Sequence, residues 1–306
     1  MKIYTVTLNP AFDVHAGAER IVLGRENLAR ITSRDAGGKG INISRALSEN
    51  GVGNTAIAVI GKENSADFKA LIGECGIDCV FIEKSGRIRE NLTLHTSEGE
   101  TRISFDGSSL DNSILDEIGA LIEADGETVV TFTGSVPSGV DIGACKAFLV
   151  GLKERGARVV IDSKSFTLAD LIDVKPWLIK PNGEEIEAYS GRVVKDFDDC
   201  VGIAFELCVK GIENVMISLG DRGAMLVNSE GAFIAVPPIV DAVSTVGAGD
   251  SAIAGFISAF ACGLSDEECL SRAVAFGTAA CLCEGTAPPR KEDIRNIEAK
   301  VRVFEN

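Results

Sequence analysis

No apolar run in the chain approaches the ~20 residues needed to cross a bilayer, and the start, MKIYTVTLNP, lacks a signal-peptide core. A cytoplasmic protein without membrane attachment is therefore expected. Basic residues are scarce: 30 Lys and Arg stand against 45 Asp and Glu, a net charge of −15. That balance argues against nucleic acid or anionic membranes as partners. An anionic substrate would need a local pocket of cations set against the overall field. Histidine is almost missing, with His15 and His95 alone, and nine cysteines are scattered without zinc-finger spacing. Neither His lies near the C-x-C of Cys281 and Cys283, so no structural metal is expected and the thiols read as reduced core residues. There is no G-x-x-x-x-G-K-[ST] and no G-x-G-x-x-G after the first strand, which removes the P-loop and dinucleotide-binding folds. Low-complexity tracts, long linkers and fixed-period repeats are also absent.

What remains is a regular alternation. Apolar strand-like runs at 3–8, 55–61, 128–134, 157–162, 177–180 and 214–220 are separated by amphipathic helical stretches such as 40–51, 143–156 and 200–211. Near-continuous apolar strands between helices predict an α/β fold with a mostly parallel sheet covered on both faces. Residues 12–36 and 86–106 break the pattern by alternating polar and apolar residues. They predict short antiparallel strands with one wet face, inserted as a small β-lid into a single domain spanning 1–306. From 245 onward the chain reads as helical, through RKEDIRNIEAKVRVF, and is expected to cover one face of the sheet.

Three glycine-rich turns stand at strand–helix junctions: AGGKGIN (36–42), SLGDRG (218–223) and VGAGD (246–250). In VGAGDSAIAGF the small side chains let the backbone N–H groups of Ala248, Gly249 and Asp250 approach an anion at the positive end of a helix. Asp250 is then either an acid favoured by the helix dipole or the base that takes a proton from an attacking hydroxyl.

The motifs together decide between these. AGGKGINISRALSENG, with Gly37, Gly38, Gly40, Asn42, Ser44 and Gly51, resembles the first signature of the ribokinase or PfkB-type carbohydrate kinases. STVGAGDSAIAGFI resembles their second signature, and KPNGEE (180–185) their N-x-x-E element. The resemblance covers essentially the whole chain and implies a three-layer, ribokinase-like α/β fold with a small β-sheet lid. It implies Asp250 as catalytic base and Gly247, Ala248 and Gly249 as the anion hole for the γ-phosphate. Ser218, Leu219, Gly220, Asp221, Arg222 and Gly223, with Gly249 and Asp250, would bind ATP. Asn182 and Glu185 would organise Mg²⁺ through water, a sensible arrangement for an ion that keeps its waters; the same pair also reads as a helix cap.

TLNPAFD (7–13) resembles the opening of those family members that act on sugar phosphates. Asp13 would hold sugar hydroxyls, with Gly38, Lys39, Asn42, Asn91 and Ser135 (of GSVPSG) also facing the sugar. Arg89 in GRIRENL would hold the substrate phosphate, since its planar fork suits that group; strand alternation puts Arg87 on the same face. The resemblance thus implies an ATP- and Mg²⁺-dependent kinase of fructose 1-phosphate acting on the 6-hydroxyl. Tagatose 6-phosphate, a neutral sugar or a nucleoside are the alternative acceptors, and a nucleotide-binding regulatory protein is the non-enzyme alternative. Relatives pair lid to lid, so a homodimer through the β-lid is expected.

Overall fold

The computed structural model describes residues 1–305. The chain opens with β1 (Lys2–Thr7), β2 (Ala11–Gly17), β3 (Arg30–Gly37), α1 (Lys39–Glu49), β4 (Thr55–Gly61), α2 (Ser65–Glu74) and β5 (Cys79–Lys84). It continues through β6 (Arg89–Thr96), β7 (Gly99–Ser104), α3 (Ser113–Leu121), β8 (Thr128–Thr133), α4 (Ile142–Glu154), β9 (Arg158–Asp162) and α5 (Leu168–Val174). Next come β10 (Leu178–Ile179), α6 (Gly183–Ser190), α7 (Phe197–Val209), β11 (Asn214–Ser218), β12 (Ala224–Val227) and β13 (Ala232–Val236). Helices α8 (Ala248–Ala261), α9 (Asp266–Ala280) and α10 (Lys291–Glu298) precede the last strand, β14 (Arg302–Glu305).

Ten strands form one sheet in the order β14-β13-β12-β11-β10-β9-β8-β1-β4-β5, and every pair from β11 to β5 runs parallel. The inner strands are apolar at successive positions because both faces are covered. Val130, Phe132, Val159 and Ile161 look toward α3, α4 and α5, where Ile114, Leu149 and Leu171 pack. Their neighbours Val129 and Val160 look the other way, toward Leu47 of α1, Ile253 and Phe256 of α8, Leu270 of α9 and Ile294 of α10. The C-terminal helices thus cover one face, as their composition suggests. No helix of the described residues is long and apolar enough to cross a membrane.

The second sheet has the order β3-β2-β6-β7. Its outer pairs are antiparallel, but the central pair, β2 with β6, is parallel, with Asp13 opposite Asn91. This corrects the expectation of an all-antiparallel insert. A hairpin reverses the chain, whereas β2 and β6 are separated by an entire β–α–β excursion through α1 to β5, so the chain returns in its original direction. Alternation holds: Asp13, His15, Arg89, Asn91, Thr93 and Arg102 share one face by register, while Phe12, Val14 and Leu92 share the other. Phe12 and Val14 pack against Ile41, Ile60 and Phe68 of the main body.

A second difference lies at the C-terminus. Helix α10 stops at Glu298, and residues 302–305 pair antiparallel with β13. Val303 and Phe304 are strand-favouring residues, a signal that the preceding helical stretch obscures. The hairpin β12–β13 and strand β5, which the sequence analysis did not mark, complete the sheet.

The tightest helix contact is between α8 and α9. A Cβ on Gly255 would come within 2.7 Å of the Arg272 carbonyl oxygen and 2.9 Å of Phe276 Cβ. Gly255→Ala should therefore destabilise the protein by about 1–3 kcal/mol through overpacking, despite alanine's better helix propensity. Urea unfolding measures this; an unchanged midpoint would show that the helices separate freely.

Candidate active site

Parallel strands of an open α/β sheet present their carboxyl ends to ligands. Here those ends carry a cluster of charge. Asp162 is the last residue of β9, and Lys180 directly follows β10. Lys39 opens α1, and its Nζ donates to Asp162 Oδ2 at 2.8 Å, while Lys180 Nζ stands 4.0 Å from the same oxygen. Burial alone would raise the carboxyl of Asp162 and lower the amine of Lys39. The attraction of Lys180 and Lys39 outweighs it at Asp162, and that of Asp162 and Asp250 outweighs it at Lys39, so Asp162 is held below its ordinary range and Lys39 above.

Asp250 lies in the first turn of α8 and is 6% exposed. Its Oδ2 accepts a hydrogen bond from Asn42 Nδ2 at 2.9 Å. Burial pushes its pKa up to about 6, with Asp162 adding to the rise, against the opposing pull of Lys39, Asn42 and Lys180. A carboxylate poised there can exchange a proton near neutral pH.

Glycine suits the turn around it. Gly247 caps α8 at φ 79°, in the left-handed region, and a Cβ at Gly249 would sit 3.0 Å from Lys180 Nζ. The N–H of Ala248 turns back toward Thr245 O at 3.4 Å and that of Ser251 bonds Gly247 O. The outward donors of the turn are therefore Gly249 and Asp250, rather than all three expected N–H groups.

The small sheet supplies the opposite wall. Asp13 is buried, and its Oδ1 accepts from Asn91 Nδ2 at 3.0 Å and from Arg102 at 3.4 Å. Its Oδ2 occupies space that a Cβ on Gly37 would fill, at 2.0 Å. Arg89 donates to the Asn9 and Phe105 carbonyls, each at 3.2 Å, and Asn9 donates to Ser135 Oγ at 3.0 Å. Three buried polar atoms here lack a hydrogen-bond partner: Asn42 Oδ1, Asn91 Oδ1 and Arg89 Nε. Such atoms are uncommon in folded proteins and call for an explanation, and unfilled ligand contacts supply one. Gly38, at φ 137°, lets α1 start against Thr7 and Pro10. His15 of the small sheet lies against Gly285 of the body, where a Cβ would be 3.2 Å from its Nε2.

Arg87 is not on this face. Strand β6 begins two residues later, and the Arg87 guanidinium stands 3.9 Å from Glu63, exposed. The turn 218–223 follows β11, and Ser218 forms a parallel bridge with Asn182. Two of its side chains turn away from the cluster: Leu219 enters the core and Arg222 reaches the Lys195 carbonyl. Asn182 and Glu185 form a reciprocal capping box on α6, the Glu185 N–H bonding Asn182 Oδ1 at 2.8 Å and Asn182 N–H bonding Glu185 Oε2 at 3.1 Å. The cap reading is thus realised, and Glu185 is still near enough to Lys39 to support its charge.

Asp162, Lys180 and Arg102 were missed in the sequence. The first two had a signal, since each is a charge ending an apolar run at the carboxyl edge. Arg102 had none, because one cation on an exposed, alternating edge strand looks like any other.

With this geometry in view, known proteins give a consistent comparison. Residues 11–293 match the model of the pfkB family carbohydrate kinases, and the chain belongs to that family. It is a carbohydrate kinase, a phosphotransferase with an alcohol acceptor and ATP as co-substrate. The 1-phosphofructokinase of Escherichia coli K12 is 36% identical over 285 residues, covering 91% of this chain and 90% of that protein. That of Bacillus subtilis is 32% identical and covers 98% and 99%. The crystal structure of phosphofructokinase-2 from E. coli in complex with substrates and products superposes with a TM-score of 0.92 at 29% identity, covering 98% and 99% of the two chains.

The raised pKa of Asp250 has a consequence for stability. A folded-state pKa above the unfolded value means that its contribution is full at low pH and is lost as pH rises through about 6. Asp250→Asn should then be more stable than the native protein at pH 8, by up to about 3 kcal/mol, with the gap narrowing toward pH 5. Urea titrations at both pH values test this; equal stability at pH 8 would mean the carboxylate is well solvated.

Proposed function

We propose that the protein phosphorylates fructose 1-phosphate on its 6-hydroxyl, giving fructose 1,6-bisphosphate and ADP. The observation that carries this reading is Asp250: a buried carboxylate with a pKa of about 6 at a helix N-terminus, flanked by Lys39 and Lys180. The names of the relatives, 1-phosphofructokinases over nearly the full length, support the choice of sugar.

In this reading Asp250 accepts the hydroxyl proton as the γ-phosphoryl group moves in line, and Asn42 fixes the carboxylate. The N–H groups of Gly249 and Asp250, with the Lys180 ammonium over Gly249, stabilise charge on the transferred group. Gly247 and Ala248 shape that turn. ATP lies along the backbone of 218–223. Asp13, Asn91, Gly38, Lys39 and Ser135 surround the sugar, and Arg89 meets its phosphate. The small sheet acts as a lid of the single domain 1–306, keeping water from the γ-phosphate.

Mg²⁺ suits the residues present. An ion bound mostly by phosphates and water takes few ligands from the protein. Glu185 uses one oxygen in its cap and leaves the other for a metal-bound water, beside Asn182. When bound, Mg²⁺ would neutralise the phosphates. Ile31, Ile103 and Phe105 are exposed on or beside the outer, apolar side of the lid, and we propose that a second copy covers them in a homodimer.

A substrate panel with ATP·Mg²⁺ tests the function: fructose 1-phosphate, fructose 6-phosphate, tagatose 6-phosphate, fructose and ribose. Fructose 1-phosphate should give the highest kcat/KM; preference for another acceptor would replace the assignment. Asp250→Asn should lower kcat by about 10²–10⁴-fold with little change in KM. Because the carboxylate form is the base, native kcat/KM should be level above about pH 6 and fall below it. A profile flat to pH 5 would remove Asp250 from that role.

A further inference from the structure

Arg102 belongs to no motif, yet it reaches the acid at the centre of the sugar wall. It stands on β7, the edge strand of the small sheet, with Thr93 opposite on β6. From there its NH2 crosses to Asp13 Oδ1 on β2, at 3.4 Å. The two side chains differ sharply in exposure, 44% for Arg102 and 9% for Asp13. An edge-strand cation that merely deters sheet pairing would extend into solvent. This one spends its length on a buried carboxylate in the cleft.

The surroundings make the contact informative. Asp13 Oδ1 also takes the Asn91 amide, so that oxygen is engaged twice without a ligand, while Oδ2 backs onto Gly37. Arg89 feels both groups, attracted by Asp13 and repelled by Arg102, with Asp106 as its other acid. Two guanidiniums thus share the attraction of one buried carboxylate, in a chain carrying a net charge of −15.

We propose that Arg102 is a specificity-determining residue that blocks Asp13 until a phosphorylated sugar arrives. The inference rests on the sugar-phosphate reading above. A substrate phosphate near Arg89 draws the Arg102 guanidinium off Asp13 into a charge-assisted, two-armed contact. Asp13 Oδ1 is then free to accept the sugar hydroxyls. A neutral sugar that binds through Oδ1 must break the Asp13–Arg102 pair with nothing to offer the arginine, so the ion pair discriminates against it at that oxygen. Arg102 therefore acts twice, as an attraction for the right class and a barrier to the wrong one.

The test compares one phosphorylated and one neutral ligand. KM for fructose 1-phosphate and the competitive Ki of fructose against it are measured for the native enzyme, Arg102→Ala and Arg102→Lys. In Arg102→Ala, KM for fructose 1-phosphate should rise about 10- to 100-fold, the loss expected for a charge-assisted contact, while the Ki of fructose stays level or falls. Arg102→Lys should recover part of the lost KM, since it keeps the charge but not the fork. An unchanged KM in Arg102→Ala would overturn the proposal. So would KM and Ki rising together, because a structural role weakens both ligands alike. A native enzyme that turns over no sugar phosphate would overturn the preceding reading and this one with it, whereas an active native enzyme with an indifferent Arg102→Ala overturns this one alone.

Discussion

Two buried carboxylates and two ammonium groups meet at the carboxyl edge of the large sheet, and much of the molecule serves to hold them there. Asp162, Lys39, Lys180 and Asp250 sum to zero charge, which is the condition for keeping four ions in a poorly hydrated cleft. They are not equal partners. Asp162 takes the direct contact with Lys39 and is held in its ionised form, while Asp250 receives only a neutral amide and the more distant cations. One acid is fixed and the other left titratable, and the difference comes from which carboxylate the lysines touch.

Each of these groups is placed by a different element. Asp162 and Lys180 end or follow adjacent parallel strands, Lys39 starts α1, and Asp250 sits in the first turn of α8. The helices can start so close to the strand ends only because glycines flank them: Gly38 before α1, and Gly247 and Gly249 at α8. The same helix α8 packs closely against α9 through Gly255.

The large sheet was readable in the sequence because its strands are apolar enough to be seen without knowing their partners. Strands at 55–61 and 128–133 fall where the apolar runs do. Short strands such as β12 and β14 were not visible, since four residues carry too little periodicity against a neighbouring helical pattern. The turn around Asp250 was legible because it is contiguous in sequence. The small sheet's contacts were not: Asp13, Asn91 and Arg102 are brought together by register between segments some ninety residues apart, and the parallel direction of β2 and β6 follows from topology rather than from local pattern. Asn91 was recognised from its motif, but its bond to Asp13 could come only from the fold.

The chain passes between the two sheets four times: Leu8–Pro10 enters the small sheet from β1, Gly38 leaves it for α1, Ser85–Ile88 enters from β5, and residues 105–112 leave it for α3. Asp13, Asn91, Arg89 and Arg102 ride on the small sheet together, whereas Asp250, Asp162 and Lys180 belong to the body. On the proposed roles, the substrate-phosphate and Asp13 side of the acceptor site rides on the small sheet, while the chemistry of transfer belongs to the body with Lys39 and Ser135. A lineage could rewrite the first by changing a few residues of a four-stranded plate, leaving the engine beneath it untouched.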